Sequence, residues 1–567
     1  MSLLSEDPTV GMTVDELIGQ VLSVGFPGTT PTAEILDLIQ KHHVGSIMLF
    51  ARNAEDVHQL RNLTRSLQTS AREAGHRFPL LISNDQENGM IQRLGRGSTI
   101  FPGNMALGAI DSEQIVYDVA QAVGQEMKAL GINMNFAPVI DVNNNPDNPI
   151  IGNRAFGEDP MQVARLGVAT VKGFASAGVI TCLKHFPGHG DTAVDSHYAL
   201  PTILHSLEHL QRVELVPFRY GIEAGADAVM TAHISFPALT GDESLPATLS
   251  SHVLQHLLRE QLGFGGLVVT DCLEMDAIID TVGIEAGTVD ALKAGSDLLL
   301  ISHTYSRQLQ AVEAIRRALQ TGYLSEERLR EAAGRVLRLK ARALSWEEAL
   351  TNDQAMICVG SDLHRELSEK VYELSTTLVK DTKGLIPLNL KPEQRILVVY
   401  PRKEAWSQIS DRVYPIAMLG EYIRLRHANV RILCFDPTAI SSAYREIQRA
   451  VHEAALVIMV TVNANLDPQQ AMLMQEVLQS NKPVIGIAGM FPYDLLAFPR
   501  LSTYLTTYEY TPPALEALAR VLFGEIAPQG QLPVSLPDIP PGRKRFSFGL
   551  QSSRVQDKLE LQEKEAG

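Results

Sequence analysis

The chain has 567 residues, 45% of them apolar, with 49 Lys and Arg against 65 Asp and Glu and a net charge of −16. That length exceeds the roughly 250–300 residues at which a single core stops growing, so two or more domains are expected. The acidic balance excludes the basic patch of a nucleic-acid surface, and no apolar run approaches the roughly 20 residues of a membrane helix.

The N-terminus carries Glu6, Asp7, Asp15 and Glu16, with no Lys or Arg before Lys41. It lacks the basic start and apolar core of a secretory signal, so the expected location is the cytoplasm. Short apolar runs then alternate with helical patterns: Val21–Phe26, Val44–Phe50, Pro79–Ser83, Met134–Ile140, Val179–Leu183, Ala228–Thr231, Leu267–Thr270 and Leu298–Ile301. Repeated β-α units of this number predict an α/β protein whose N-terminal part, residues 1–345, closes into a (β/α)8 TIM-like barrel. Residues 346–389 read as a helical connector. The charges at Glu326, Glu327, Arg328, Arg330 and Glu331, just before it, lie on solvated helix faces.

A second alternation follows: Ile396–Tyr400, Val430–Phe435, Leu456–Val462, Val484–Ala488 and Leu501–Thr507, then a helix over Pro512–Glu525. Gln529–Val534 reads as a turn into an edge strand. Residues 390–545 are therefore expected to form a smaller doubly wound α/β domain, with a polar tail over 546–567. Cys182, Cys272, Cys358 and Cys434 are scattered without a CxxC pair. That spacing predicts buried free thiols rather than a zinc knuckle or a disulfide framework.

Chemistry gathers at the strand ends. The third strand ends in Asp85-Gln86-Glu87-Asn88-Gly89, with Arg93 close behind. The loop after the fourth holds Asn153-Arg154-Ala155-Phe156-Gly157-Glu158-Asp159-Pro160. The fifth gives Lys184 and His185, then Asp195-Ser196-His197. The sixth, seventh and eighth end in His233, Asp271 and His303. In a barrel all these ends open on one face.

Each group has a bland reading beside the functional one. Asp271 emerges from an apolar strand, where an ionised carboxyl needs solvent or a partner, yet Glu274 makes a helix cap there equally natural. Asp195 can fix the tautomer of His197 and tune it for proton transfer, or the two can form a plain surface turn. His185, His189, Asp191, Asp195 and His197 are metal-ligand types, but this stretch has neither a helical His-x3-His nor an HExxH pattern, so no metal is expected. Asp85, Arg93, Arg154 and Lys184 suit the hydroxyls of a sugar, or structural ion pairs.

Taken together, Asp85-Gln86-Glu87, Gly152–Pro160, Lys184–Thr192, Asp195-Ser196-His197, Pro246–Ser250, Val269-Thr270-Asp271 and the C-terminal Gly530-Gln531-Leu532-Pro533 resemble glycoside hydrolase family 3. The resemblance covers nearly the whole chain and points to the bacterial β-N-acetylglucosaminidase branch in its two-domain form. It implies a retaining exo-β-N-acetylglucosaminidase acting on cell-wall fragments or chitin oligomers, with no cofactor, as a monomer or homodimer. By the resemblance, Asp271 is the nucleophile and His197, oriented by Asp195, the acid/base. Asp85, Arg93, Arg154, Lys184 and His185 hold the sugar ring, with His233 nearby. Family members usually read Asp-Gln-Glu-Gly-Gly-Arg where this chain has Asn88, Gly89 and Met90. Glu509 is the candidate for the second-domain acid that other branches use. A sugar phosphorylase, a β-glucosidase and a catalytically silent sugar-binding protein are the alternatives.

Overall fold

The computed structural model describes residues 7–193, 200–351, 354–403, 406 and 414–536. The expected strands form, and they close into a parallel barrel in sequence order. They are β1 (Leu22–Val24), β2 (Ser46–Met48), β3 (Leu81–Asn84), β4 (Met134–Asn135), β5 (Ile180–Phe186), β6 (Ala228–Thr231), β7 (Leu267–Cys272) and β8 (Leu298–Ile301). β8 closes on β1 through the pairing of Leu299 with Leu22 and Ile301 with Val24. Helices cross between strands and start on side-chain caps: Asp56 accepts from the amides of His58 and Gln59, and Asp159 from those of Met161 and Gln162. Such caps satisfy the free first-turn amides and set where each strand-end loop stops.

The barrel interior is filled by Leu81, Met134, Ile180, Cys182, Met230, Val269 and Leu300, among others. The helix Glu326–Ala343 exposes Glu326, Glu327 and Glu331 as foreseen from the sequence, whereas Arg328, expected on a solvated face, is only 12% exposed because it meets the buried Asp297; the other face has a packing role. Val336 and Leu339 join the interior cluster, and the fully buried Lys340 donates from Nζ to Gln20 Oε1 (2.8 Å) and to the Gly45 carbonyl (2.7 Å). Asp297, before β8, meets Arg259, Arg328 and Arg335 and is also fully buried.

Within the barrel, strand register breaks at two places, both next to the cavity-lining residues. β5 and β6 lose register between Leu183 and Phe186, and β7 and β8 between Val269 and Cys272. A regular strand sends successive side chains to opposite faces. A local irregularity re-aims them, and here Lys184 and His185, consecutive residues, both reach the same cavity.

The second sheet differs from expectation at its edges. The helical connector foreseen over 346–389 becomes a strand at β9 (Thr377–Asp381). β9 pairs antiparallel with β14 (Thr503–Thr506). The other strands are β10 (Ile396–Pro401), β11 (Val430–Phe435), β12 (Leu456–Thr461) and β13 (Val484–Ala488), in the order β11-β10-β12-β13-β14-β9. The parallel part is doubly wound as expected. Because β9 occupies the edge beside β14, Gln529–Val534 does not become an edge strand. It bridges the two units instead: the Gln531 amide donates to the Ala109 carbonyl (2.8 Å), while Leu532 and Val534 pack into the second domain's core. Cys182 and Cys272 are buried as expected, whereas Cys358 and Cys434 are only half-buried; all are free thiols. No described helix is long and apolar enough to cross a membrane.

The two units share a core. Met90, Met105, Ala106 and Ala109 of the barrel chain pack into the apolar cluster of the second domain. Polar ties cross the same boundary, from Asn143 Nδ2 to Tyr493 Oη (2.8 Å) and from Asn153 Nδ2 to the Tyr508 carbonyl (2.6 Å). The departure at Asn88-Gly89-Met90 belongs to this joint. Asn88 and Gly89 both take left-handed backbone (φ 70° and 60°). A Cβ on Gly89 would sit 2.6 Å from Glu509 Oε2 and 3.0 Å from Gly103 Cα.

Candidate active site

A cavity of about 310 Å3 opens at the C-terminal ends of the barrel strands, the face on which barrel enzymes carry their chemistry. Asp85, Arg93, Arg154, Lys184, His185 and Asp271 all line it, so residues from β3, the β4 loop, β5 and β7 converge there.

Five of the lining side chains form one chain of alternating charge. Arg93 Nη1 contacts Asp85 Oδ2. Asp85 Oδ1 accepts from Lys184 Nζ (2.7 Å), which also meets Glu87 Oε1 (2.5 Å). Glu87 then takes Arg154 in a two-point contact, Oε1 to Nη2 and Oε2 to Nε, both 2.8 Å. Burial pushes the Glu87 carboxyl up, but the charges of Arg154 and Lys184 outweigh it and hold the group below the ordinary carboxylate range. Burial pulls Lys184 down, and Asp85 and Glu87 more than reverse this, so the ammonium stays charged. These residues are buried ion pairs, and all of them also line the cavity.

A second network fixes the β5 loop. Asp141, fully buried, accepts from His185 Nδ1 (2.7 Å) and from the amides of His185 (3.1 Å) and His189 (2.8 Å). This leaves His185 Nε2 toward the cavity, 3.5 Å from Arg154 Nη2. Burial lowers the pKa of His189 to about 4, so its ring is neutral near pH 7. Asn148 closes the loop by donating to the carbonyls of His189 and Gly190, each at 2.9 Å.

Asp271 is partly open to the cavity, and its Oδ1 accepts from the Cys272 amide (2.7 Å). The expected cap partner does other work: Glu274 accepts from the amides of His303 (2.6 Å) and Thr304 (3.1 Å). His233 is not in the lining. Its Nε2 bonds to the Cys272 carbonyl (3.0 Å) and its Nδ1 to the Thr248 hydroxyl (2.8 Å). It supports the strand that presents Asp271. Asp195 and His197 lie outside the described residues.

Glu509 lies at the domain joint, not in this cavity. Its carboxylate accepts from Tyr372 Oη (2.6 Å), Thr511 Oγ1 (2.8 Å) and the Gly103 amide (2.9 Å). It lines a smaller cleft that the main cavity borders through Glu87 and Arg154. The sequence reading missed Glu87 and Asp141 as site residues. The signals were present: Glu87 stands two residues from Asp85 at a strand end, and Asp141 follows the apolar Val139-Ile140.

Comparison with known families agrees with this geometry. Residues 13–339 match the glycosyl hydrolase family 3 N-terminal domain, and 376–557 its C-terminal domain. The chain belongs to glycosyl hydrolase family 3. It is thus a glycoside hydrolase, as its strand-end motifs implied, and its barrel and second sheet are the two domains of that family. It is 31% identical to β-hexosaminidase A of Pseudoalteromonas piscicida over 93% of this chain and 98% of that one. Among solved structures, it is 41% identical to a family 3 β-N-acetylglucosaminidase from Paenibacillus sp. str. FPU-7, with a TM-score of 0.86, covering 93% of this chain and 99% of that one. It is 40% identical, with a TM-score of 0.88 over 94% of its length, to a fungal multi-domain family 3 β-N-acetylglucosaminidase, of which it spans 62%.

Proposed function

We propose that the protein is a retaining exo-β-N-acetylglucosaminidase that removes terminal N-acetylglucosamine from cell-wall fragments or chitin oligomers. The observation that carries this reading is the position of Asp271: partly open, at the end of β7, in a cavity whose other walls are Asp85, Lys184, Arg154 and His185. The names of the full-length relatives support the choice of sugar.

In this mechanism Asp271 attacks the anomeric carbon and holds the sugar as a covalent ester, while its Cys272 amide bond fixes which oxygen is free to attack. His197, oriented by Asp195, protonates the leaving oxygen and then takes a proton from the attacking water. Asp85, Lys184 and Arg154 grip the hydroxyls that lie away from the scissile bond. Four unpaired cysteines suit work in the reducing cytoplasm.

An aryl β-N-acetylglucosaminide tests the reading directly. Asp271→Ala is expected to cut turnover by roughly 10^3-fold or more, and a fluorinated N-acetylglucosaminyl fluoride to label the Asp271 peptide. Wild-type rates in the variant, or a label elsewhere, would reject it. Aryl glycosides differing at the 2-position separate this activity from a β-glucosidase.

A further inference from the structure

Beside the β5 loop, and outside the sugar cavity, four polar side chains converge. His205 stands just before the helix Leu207–Arg212, whose N-cap is Ser206. His209 lies on that helix, and Glu214 opens the next one, Leu215–Glu223. The two imidazoles stack with centroids 3.9 Å apart and planes 24° from parallel. A ligand atom from each histidine and from Glu214 lies within 4.8 Å of the others. His209 Nε2 is 3.5 Å from Glu214 Oε1, and the Asp191 carboxylate touches His205 Nε2.

Glu214 is the second, independent observation. Its side chain is only 1% exposed. Yet neither carboxylate oxygen, nor His209 Nε2, has a hydrogen bond of acceptable geometry among the described residues. The groups facing it are His209, His205 and the Asn144 side chain. Its stem is wedged against Gly188, where an added Cβ would come within 2.7 Å, so the carboxylate is held inward. A buried carboxylate with only such long or poorly aligned contacts is unfavourable unless a cation neutralises it.

We propose that His205, His209 and Glu214 form a divalent transition-metal site, zinc by donor type. Imidazole nitrogens combined with carboxylate oxygens favour zinc over calcium or magnesium, which take all-oxygen shells. Ligands bound tetrahedrally to zinc at about 2.0–2.1 Å stand roughly 3.4 Å apart, close to the 3.5 Å between His209 and Glu214. The histidine side chains are 32% and 34% exposed, which gives the ion an entry path. On binding, any proton on the ligating imidazole nitrogens leaves to solvent. Three protein ligands leave the fourth tetrahedral position to a water. The metal would tie His205 and the helix Leu207–Arg212 to the start of the next helix, Leu215–Glu223.

The test uses the full-length protein without a histidine tag, stripped with EDTA and titrated with zinc chloride. About one tightly bound zinc per chain by elemental analysis, with a higher thermal midpoint, is the expected result. His205→Ala and His209→Ala should each weaken binding by about 10–100-fold. Glu214→Gln keeps the shape, should also lose zinc, and should raise the stability of the metal-free protein by removing the buried charge. Stoichiometry far below one, binding unchanged in all three variants, or preference for magnesium or calcium would overturn the proposal. Zinc binding should be intact in Asp271→Ala, so the result stands apart from that of the glycosidase assay.

Discussion

Glu87 and Arg154 meet through two parallel contacts of 2.8 Å, and Lys184 closes on the same Glu87 oxygen at 2.5 Å. All three side chains are buried or nearly so. The pairing makes Arg154, Glu87 and Lys184 a rigid unit, because either cation that turned away would break a buried charged contact. Removing one partner of such a set is costly since the other charges stay buried.

Glu87→Ala is therefore expected to lose about 3–5 kcal/mol in denaturant unfolding and to raise KM sharply. Glu87→Gln keeps one acceptor and should lose less on both counts. Wild-type KM and stability in Glu87→Ala would show that Arg154 and Lys184 hold their places without it.

Asp141 acts through His185. By accepting from Nδ1 and from two loop amides it fixes the ring, its tautomer and the β5 loop together. Asp141→Asn puts an amide NH2 where donors already point, and kcat/KM should fall by roughly 10–100-fold, as when an orienting partner is lost. The acid and base limbs of the rate profile should shift as well. An unchanged profile would leave Asp141 with a purely structural role.

Gly89 is required by Glu509. At φ 60°, with an added Cβ 2.6 Å from Glu509 Oε2, Gly89→Ala should cost about 1–3 kcal/mol in thermal unfolding. Adding Glu509→Ala removes the clashing atom but not the backbone strain. The double variant should thus be less damaged than the sum of the singles. Strict additivity would refute the contact.

Burial raises the Glu509 carboxyl to about 7 from an ordinary 4.5. Between these values the folded chain holds a proton that the unfolded chain has released, so stability falls as pH rises. The contribution is full below about pH 4.5 and lost by about pH 7, and amounts to roughly 3 kcal/mol. Glu509→Gln cannot ionise, and its melting temperature should fall less than wild type across this range. Parallel curves for the two proteins would count against it.

The sequence by itself was enough for the barrel, the parallel part of the second sheet and six of the cavity's side chains. These features are local. An apolar run followed by a polar, Gly-rich loop identifies a strand and its functional end, and a parallel β-α barrel must bring all such ends to one face. Asp85, Lys184 and Asp271 are legible for that reason, without knowledge of their partners.

Tertiary structure alone decided which charges meet. Glu87 finds Arg154 and Lys184 across strands far apart in the chain, and Asp141 finds His185. His233 ties to the Cys272 carbonyl of β7 and is not among the residues that line the cavity. Thr377–Asp381 becomes a strand only because β14 offers an unpaired edge, and Glu509 is drawn into the domain joint by Tyr372, Thr511 and Gly103. Each of these outcomes depends on a partner brought near by chain closure. Periodicity and local composition reveal which residues can make such contacts, and packing selects the ones that do.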